Sequence, residues 1–178
     1  MKTGSTCDDV GIQMTATNVR RASTLNKRIA KGGKRAPRTR ALVVINPAAI
    51  KLTMSGTHPV QAYGHQAQGA SWAQQGAMRK NIKNTTPFAG SRACTATVIS
   101  WIFGPTSDPH VKIPLEQIDM WMKVWAETTT EQRHDTRYTW QRHLSSYIGS
   151  GRALRSMGPD AATINATLQA GWRPARPD

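Results

Sequence analysis

Cysteine is almost missing from this chain: Cys7 and Cys94 are the only two in 178 residues. Two thiols so far apart cannot form the disulfide framework of a small secreted scaffold. Residues 1–10 hold one lysine and no apolar core of a signal peptide, so a reducing, intracellular compartment is expected. Long apolar runs are missing too. The longest, Ala41 to Ile45, is far short of the roughly 20 residues of a membrane span, and no membrane partner is expected. Val, Ile, Leu and Phe number only 28 of 178, which with high net charge approaches the composition of disordered chains. Six tryptophans and seven methionines oppose that reading and favour a thinly cored, mainly α domain. The length suits one ordinary domain and excludes a polymerase or kinase with all its parts.

Acidic residues are the other scarcity, ten against 24 Lys and Arg, for a formal charge of +14. Residues 1–40 carry net +8 and the remaining 138 carry +6. Arg20, Arg21, Lys27, Arg28, Lys31, Lys34, Arg35, Arg38 and Arg40 form the candidate nucleic-acid-binding set. Each phosphate such a set neutralises releases counterions, giving salt-sensitive affinity without sequence choice. The run lacks the Leu/Phe/Trp face of an interfacial helix, which places the DNA or RNA backbone ahead of an anionic membrane or a merely solvated face.

Along the chain, residues 1–17 read as a polar segment with a possible strand over Val10 to Met14. A basic helix and linker follow over 18–40: Asn18 as cap, Ala22, Leu25 and Ile29 at helical spacing, and Gly32-Gly33 as the stop. Residues 41–172 read as a helical region and 173–178 as an extended tail. Within the helical region Asn46-Pro47 opens a short helix to Met54, and Ser55 to Gly69 is expected to be turns with at most a short helix around Val60 to Tyr63. Helices are expected over Trp72 to Ile82, Ser91 to Phe103, Pro114 to Glu127, Glu131 to Ile148, and from Pro159 to a stop at Gly171. Leu115, Ile118, Trp121, Met122 and Trp125 fall within about 120° of one another and form the expected core stripe of the third.

Catalytic groups are sparse. Asp8-Asp9 is the only adjacent acidic pair, and such a pair is more often a solvated turn than a two-metal site. The histidines at 58, 65, 110, 134 and 143 show no CxxC, HxxxH or HExxH spacing, so no metal site is expected. Cys94 reads as a buried structural thiol. Lys31-Gly32-Gly33-Lys34 lacks the order of a phosphate-binding loop. Trp121, Trp125 and Trp140 read as core, whereas Trp72, among Gln and Gly, is uncommitted.

Several short signatures occur in a fixed order: Asp9-Val10-Gly11-Ile12, the arginine-rich helix after it, Pro59-Val60-Gln61-Ala62-Tyr63-Gly64, and Met78-Arg79 following Gly69. Trp101 to Gly104 with Asp108-Pro109 comes next, then Ile118-x-x-Trp121-x-x-x-Trp125. Last is Gly158-Pro159-x-x-Ala162-Thr163-x-x-x-x-Leu168-x-x-Gly171-Trp172. Together they resemble the region after the palm in non-LTR-type retrotransposon reverse transcriptases, with Val10 in place of the leucine of a Leu-Gly turn. The resemblance implies a small, irregular, thumb-like helical bundle with a flexible basic N-terminal segment. It also implies template-primer grip without nucleotidyl transfer. The family's Tyr-x-Asp-Asp would lie upstream, and Thr6-Cys7-Asp8-Asp9 lacks its tyrosine. On this reading the chain has no catalytic residues, magnesium belongs with the missing palm, and that palm or other polyprotein segments are possible partners. The alternative is a stand-alone basic binding or partner-docking helical protein.

Overall fold

The computed structural model describes residues 6–9, 12–15, 20–150 and 158–178. The fold is mainly α, a small helical bundle. Asn18, expected as a helix cap, lies outside the described residues. The same is true of Val10 and Gly11. Near the start, strands β1 (Thr6–Asp9) and β2 (Ile12–Thr15) pair antiparallel, with Thr6 opposite Thr15 and Asp9 opposite Ile12. The chain divides into two compact units, each described by itself below.

One unit, here the basic unit, comprises Ser23–Tyr63 and Ser71–Lys112. Its longest helix, α1 (Ser23–Ile45), buries Leu25, Ile29, Gly32, Ala36, Thr39 and Val43, a repeat of three and four residues that makes one continuous inner stripe. The expected stop at Gly32-Gly33 is therefore corrected: the helix runs through both glycines and through Pro37. The two glycines serve packing. A Cβ on Gly32 would lie 2.7 Å from Oε1 of Gln61 in α2 (His58–Ala62), and one on Gly33 would lie 3.1 Å from Oδ1 of Asn81. Those amides form a buried network in which Gln61 Nε2 donates to the Met78 carbonyl at 3.3 Å and Asn81 Nδ2 donates to Gln61 Oε1 at 3.1 Å and to the Ile29 carbonyl at 2.9 Å. Pro37 is exposed, so the carbonyl it leaves without an amide donor can take water.

A pair of alanine substitutions separates packing from helix propensity. Gly76 is inside a helix with nothing within 4 Å of an added Cβ, and Gly76→Ala is expected to stabilise by about 0.5–1 kcal/mol. The same change at Gly32 gains the same propensity but pushes Gln61 off its partners, and a buried unpaired amide costs about 1–3 kcal/mol. Opposite signs in urea denaturation are expected; stabilisation by both would show that the Gln61 network yields at no cost.

After α1, Asn46 accepts a hydrogen bond from the Ala48 amide at 3.0 Å and opens a 3₁₀ helix, Pro47–Lys51. The stretch expected to be turns is mostly helical instead: a π-helical turn over Thr53–Thr57, then α2, and, in the other unit, α3 (His65–Gln68), with Gly64 at φ +81° between them. The basic unit continues with α4 (Trp72–Lys83) and α5 (Thr95–Phe103), whose Val98 is buried and whose Trp101 is 76 % exposed.

Helix α6 (Pro109–Glu127) starts five residues before the expected Pro114. Asp108-Pro109 already supplies what a helix start needs: Asp108 Oδ1 accepts from the His110 amide at 3.0 Å, and proline occupies the first helical position.

The other unit, here the tryptophan unit, comprises Met1–Ala22, Gly64–Ala70 and Ile113–Asp178. It holds the rest of α6, α7 (Thr130–Ser150) and α8 (Pro159–Gln169) around Trp121, Trp140 and Ile164, with Trp125, Leu144 and Leu168 packed against them. The inner face of α6 differs from the expected stripe. Ile113, Pro114, Gln117 and Trp121 are buried, while Leu115 and Met122 are exposed. Gln117 takes a core position because its amide donates to the His65 carbonyl at 2.8 Å. The extended segment after Trp172 supplies acceptors to the core: Trp121 Nε1 donates to the Pro177 carbonyl at 2.8 Å, Trp140 Nε1 to that of Pro174 at 3.1 Å, and Gln141 Nε2 to that of Ala175 at 2.7 Å.

Candidate nucleic-acid interface

The nine candidate basic residues do not form one surface. Arg20 and Arg21 belong to the tryptophan unit. Arg20 donates through Nε to the Gln68 carbonyl at 2.6 Å and through Nη2 to that of Gly69 at 2.9 Å, and burial lowers its pKa from the usual guanidinium value. Arg28 donates to the Tyr63 carbonyl at 2.9 Å and lies over the Tyr63 ring, 4.6 Å from its centroid. Arg35 reaches the Gly56 carbonyl at 3.5 Å. These three are fastened to backbone oxygens of their own units.

Lys27, Lys31, Lys34 and Arg38 are different. At 100° per residue they fall within about 60° of one another, on the side of α1 opposite its buried stripe. All four are exposed. Arg40 is exposed as well but lies off this line, behind the helix. From Lys27 to Arg38 is eleven residue steps, about 16 Å of helix at 1.5 Å per residue. A duplex carries a phosphate per strand every 3.4 Å or so, so a stripe of that length can face about five phosphates.

Within the basic unit nothing acidic opposes the stripe. By sequence, the basic unit holds thirteen Lys and Arg and one acid, Asp108, for net +12; the tryptophan unit holds eleven bases and nine acids, for net +2. The division of charge therefore follows the two units rather than the first 40 residues. A second count of the sequence carries the signal: there is no Asp or Glu between Asp9 and Asp108. Asp108 is itself engaged, accepting from Arg79 Nη2 at 2.8 Å.

Beside that pair, Arg79 Nη1 lies 3.1 Å from His110 Nδ1, and the His110 ring stacks on Trp72 with centroids 3.7 Å apart. Burial and the Arg79 charge lower the His110 pKa, so the imidazole is neutral at neutral pH.

Other candidate chemistry stays dispersed. Asp8 and Asp9 lie on β1. Among the described residues no group of three or more His, Cys, Asp or Glu side chains gathers to hold a metal. Cys94, expected to be buried, is exposed at the start of α5, where hydrogen bonds from Thr97 and the Ala96 amide lower its thiol pKa. Cys94 stands at the N-cap of α5, where the helix N-terminus favours the thiolate. Trp121 and Trp140 are core residues and Trp125 is half-buried, as their helical spacing implied. Among the described residues no helix is long and apolar enough to cross a membrane. Comparison with protein-family models, curated proteins and solved structures gives no match for this chain.

Proposed function

We propose that the chain binds the phosphate backbone of nucleic acid through Lys27, Lys31, Lys34 and Arg38, as the segment after the palm of a mobile-element RNA-directed DNA polymerase. The observation that carries the binding reading is the four-cation stripe on a unit whose single carboxylate is already paired. Point charges at that spacing track phosphates without reading bases, so affinity depends on salt and little on sequence. The polymerase context draws on the ordered signatures from Asp9 to Trp172. In that context the segment supplies grip, and nucleotidyl transfer with its magnesium belongs to the palm.

Exposed Leu42, Val44 and Ile45 at the end of α1 favour a second reading, a helical protein that docks a partner. On the polymerase reading, sequencing the coding region upstream of Met1 is expected to find a palm with Tyr-x-Asp-Asp; an unrelated promoter and start there would overturn that context.

Binding is tested by changing Lys27, Lys31, Lys34 and Arg38 together to glutamine and titrating labelled primer-template duplex at several salt concentrations. Affinity is expected to drop at least tenfold, and the slope of log K against log salt to flatten by about three to four units. An unchanged slope would remove the stripe from the interface.

A further inference from the structure

Trp72 is the first residue of α4, and contacts within the basic unit fix it there. Ser71 and Gln74 cap the helix reciprocally: the Gln74 amide donates to Ser71 Oγ at 3.3 Å and the Ser71 amide to Gln74 Oε1 at 3.0 Å. Gln74 Nε2 then donates to Asn26 of α1 at 2.7 Å. The indole lies against His110 at an interplanar angle of 27°. His110 is held in turn, since its Nδ1 accepts from Arg79 and its amide is capped by Asp108. With Nδ1 accepting, the neutral ring carries its proton on Nε2.

A tryptophan restrained on this scale is usually a core residue, as Trp121 and Trp140 are at 5 % and 1 % exposure. Trp72 is 57 % exposed. One face is backed by imidazole and more than half of the side chain meets solvent, an oriented aromatic surface that no described residue of the basic unit covers. The Asn26–Gln74 hydrogen bond sets the first turn of α4 beside α1 one residue before Lys27, where the cation stripe begins.

We infer that Trp72 is a stacking platform for an unpaired nucleobase of a single strand whose phosphates lie along Lys27, Lys31, Lys34 and Arg38. The inference rests on the backbone-binding reading above and adds to it the kind of nucleic acid preferred. A duplex keeps its base faces inside the stack, whereas a single strand offers an open face at every nucleotide. Stacking on indole needs no particular base, which suits a surface that reads none.

The test uses the full chain, a labelled thymidine oligomer of about 20 nucleotides and a duplex of the same length, with binding followed by fluorescence anisotropy. Trp72→Leu is expected to weaken single-strand binding about tenfold, leave the salt slope unchanged and leave duplex binding within about twofold. Trp72→Phe, which keeps an aromatic face over His110, is expected to recover most of the loss and guards against a folding defect. With 5-iodouridine in the oligomer, photocrosslinking is expected to mark the peptide that contains Trp72. Equal single-strand affinity for wild type and Trp72→Leu, equal losses on both substrates, or a crosslink confined to other peptides would each overturn the platform. Failure of the backbone reading looks different: the glutamine variant then binds as wild type does. A wild-type chain that binds neither substrate would overturn both.

Discussion

Replacing Asp108 by alanine is expected to cost about 3–5 kcal/mol and to unfold the basic unit at temperatures where the wild type is folded. Three losses coincide. The carboxylate is buried and pairs with Arg79 at 2.8 Å, so its removal strands a guanidinium that is itself largely shielded from water. The other carboxylate oxygen caps α6 through the His110 amide, a contact typically worth about 1 kcal/mol. Thirteen bases are then left in one unit with no negative charge among them. Against a usual domain stability of about 5–15 kcal/mol, a loss of this size consumes a large share. Asp108→Asn retains an oxygen for the cap but not the charge, and should fall between wild type and alanine. Urea titration followed by circular dichroism measures both; a loss under about 1 kcal/mol for alanine would mean that water replaces the carboxylate at Arg79.

The second large effect belongs to the tryptophan unit. Trp140→Ala is expected to destabilise by about 3–5 kcal/mol, the usual range for emptying a buried aromatic site. Trp140 is 1 % exposed, its ring lies 5.2 Å from that of Trp121, and Trp121 lies 6.4 Å from Trp125. Small residues dominate the buried positions of α8, from Ala161 to Thr167, and have no reach to fill the hole. Trp140→Phe keeps most of the volume but frees the Pro174 carbonyl, and should cost about 1–2 kcal/mol. Thermal unfolding of the two variants gives the comparison; equal losses would make the Nε1 hydrogen bond, not the ring, the larger contribution.

Features governed by residues three or four apart were legible in the sequence. The inner positions Leu25 and Ile29 of α1, the Asn46-Pro47 start and the core placement of Trp121 and Trp140 all follow from helical periodicity and capping chemistry. Features decided by a distant partner were not. Gly32-Gly33 has the composition of a helix stop, and only Gln61 and Asn81, far along the chain, make it a site of close approach. Gln117 looks like a surface residue until the His65 carbonyl is placed beside it. Pro114 looks like a helix start, yet Asp108-Pro109 provides an earlier and better capped one. Trp72 stayed uncommitted because the ring that stacks on it is His110, 38 residues on. For the candidate interface, the list of bases was readable but their sorting was not. Arg20, Arg28 and Arg35 are drawn from the set by carbonyls within their reach, which the sequence does not show.

The concentration of charge in one unit has a thermodynamic corollary. A compact body with thirteen cations and one anion is strained by self-repulsion, and dissolved ions relieve that strain by gathering around it. Rising ionic strength therefore acts on this chain with two opposite signs, tightening the fold of the basic unit while loosening its hold on a polyanion. A bound strand does the first without the second, because its phosphates are a counterion atmosphere already tied together in one molecule. Folding and binding in this unit thus share one electrostatic free energy, and whatever neutralises the stripe also acts as a cohesive agent for the helices beneath it.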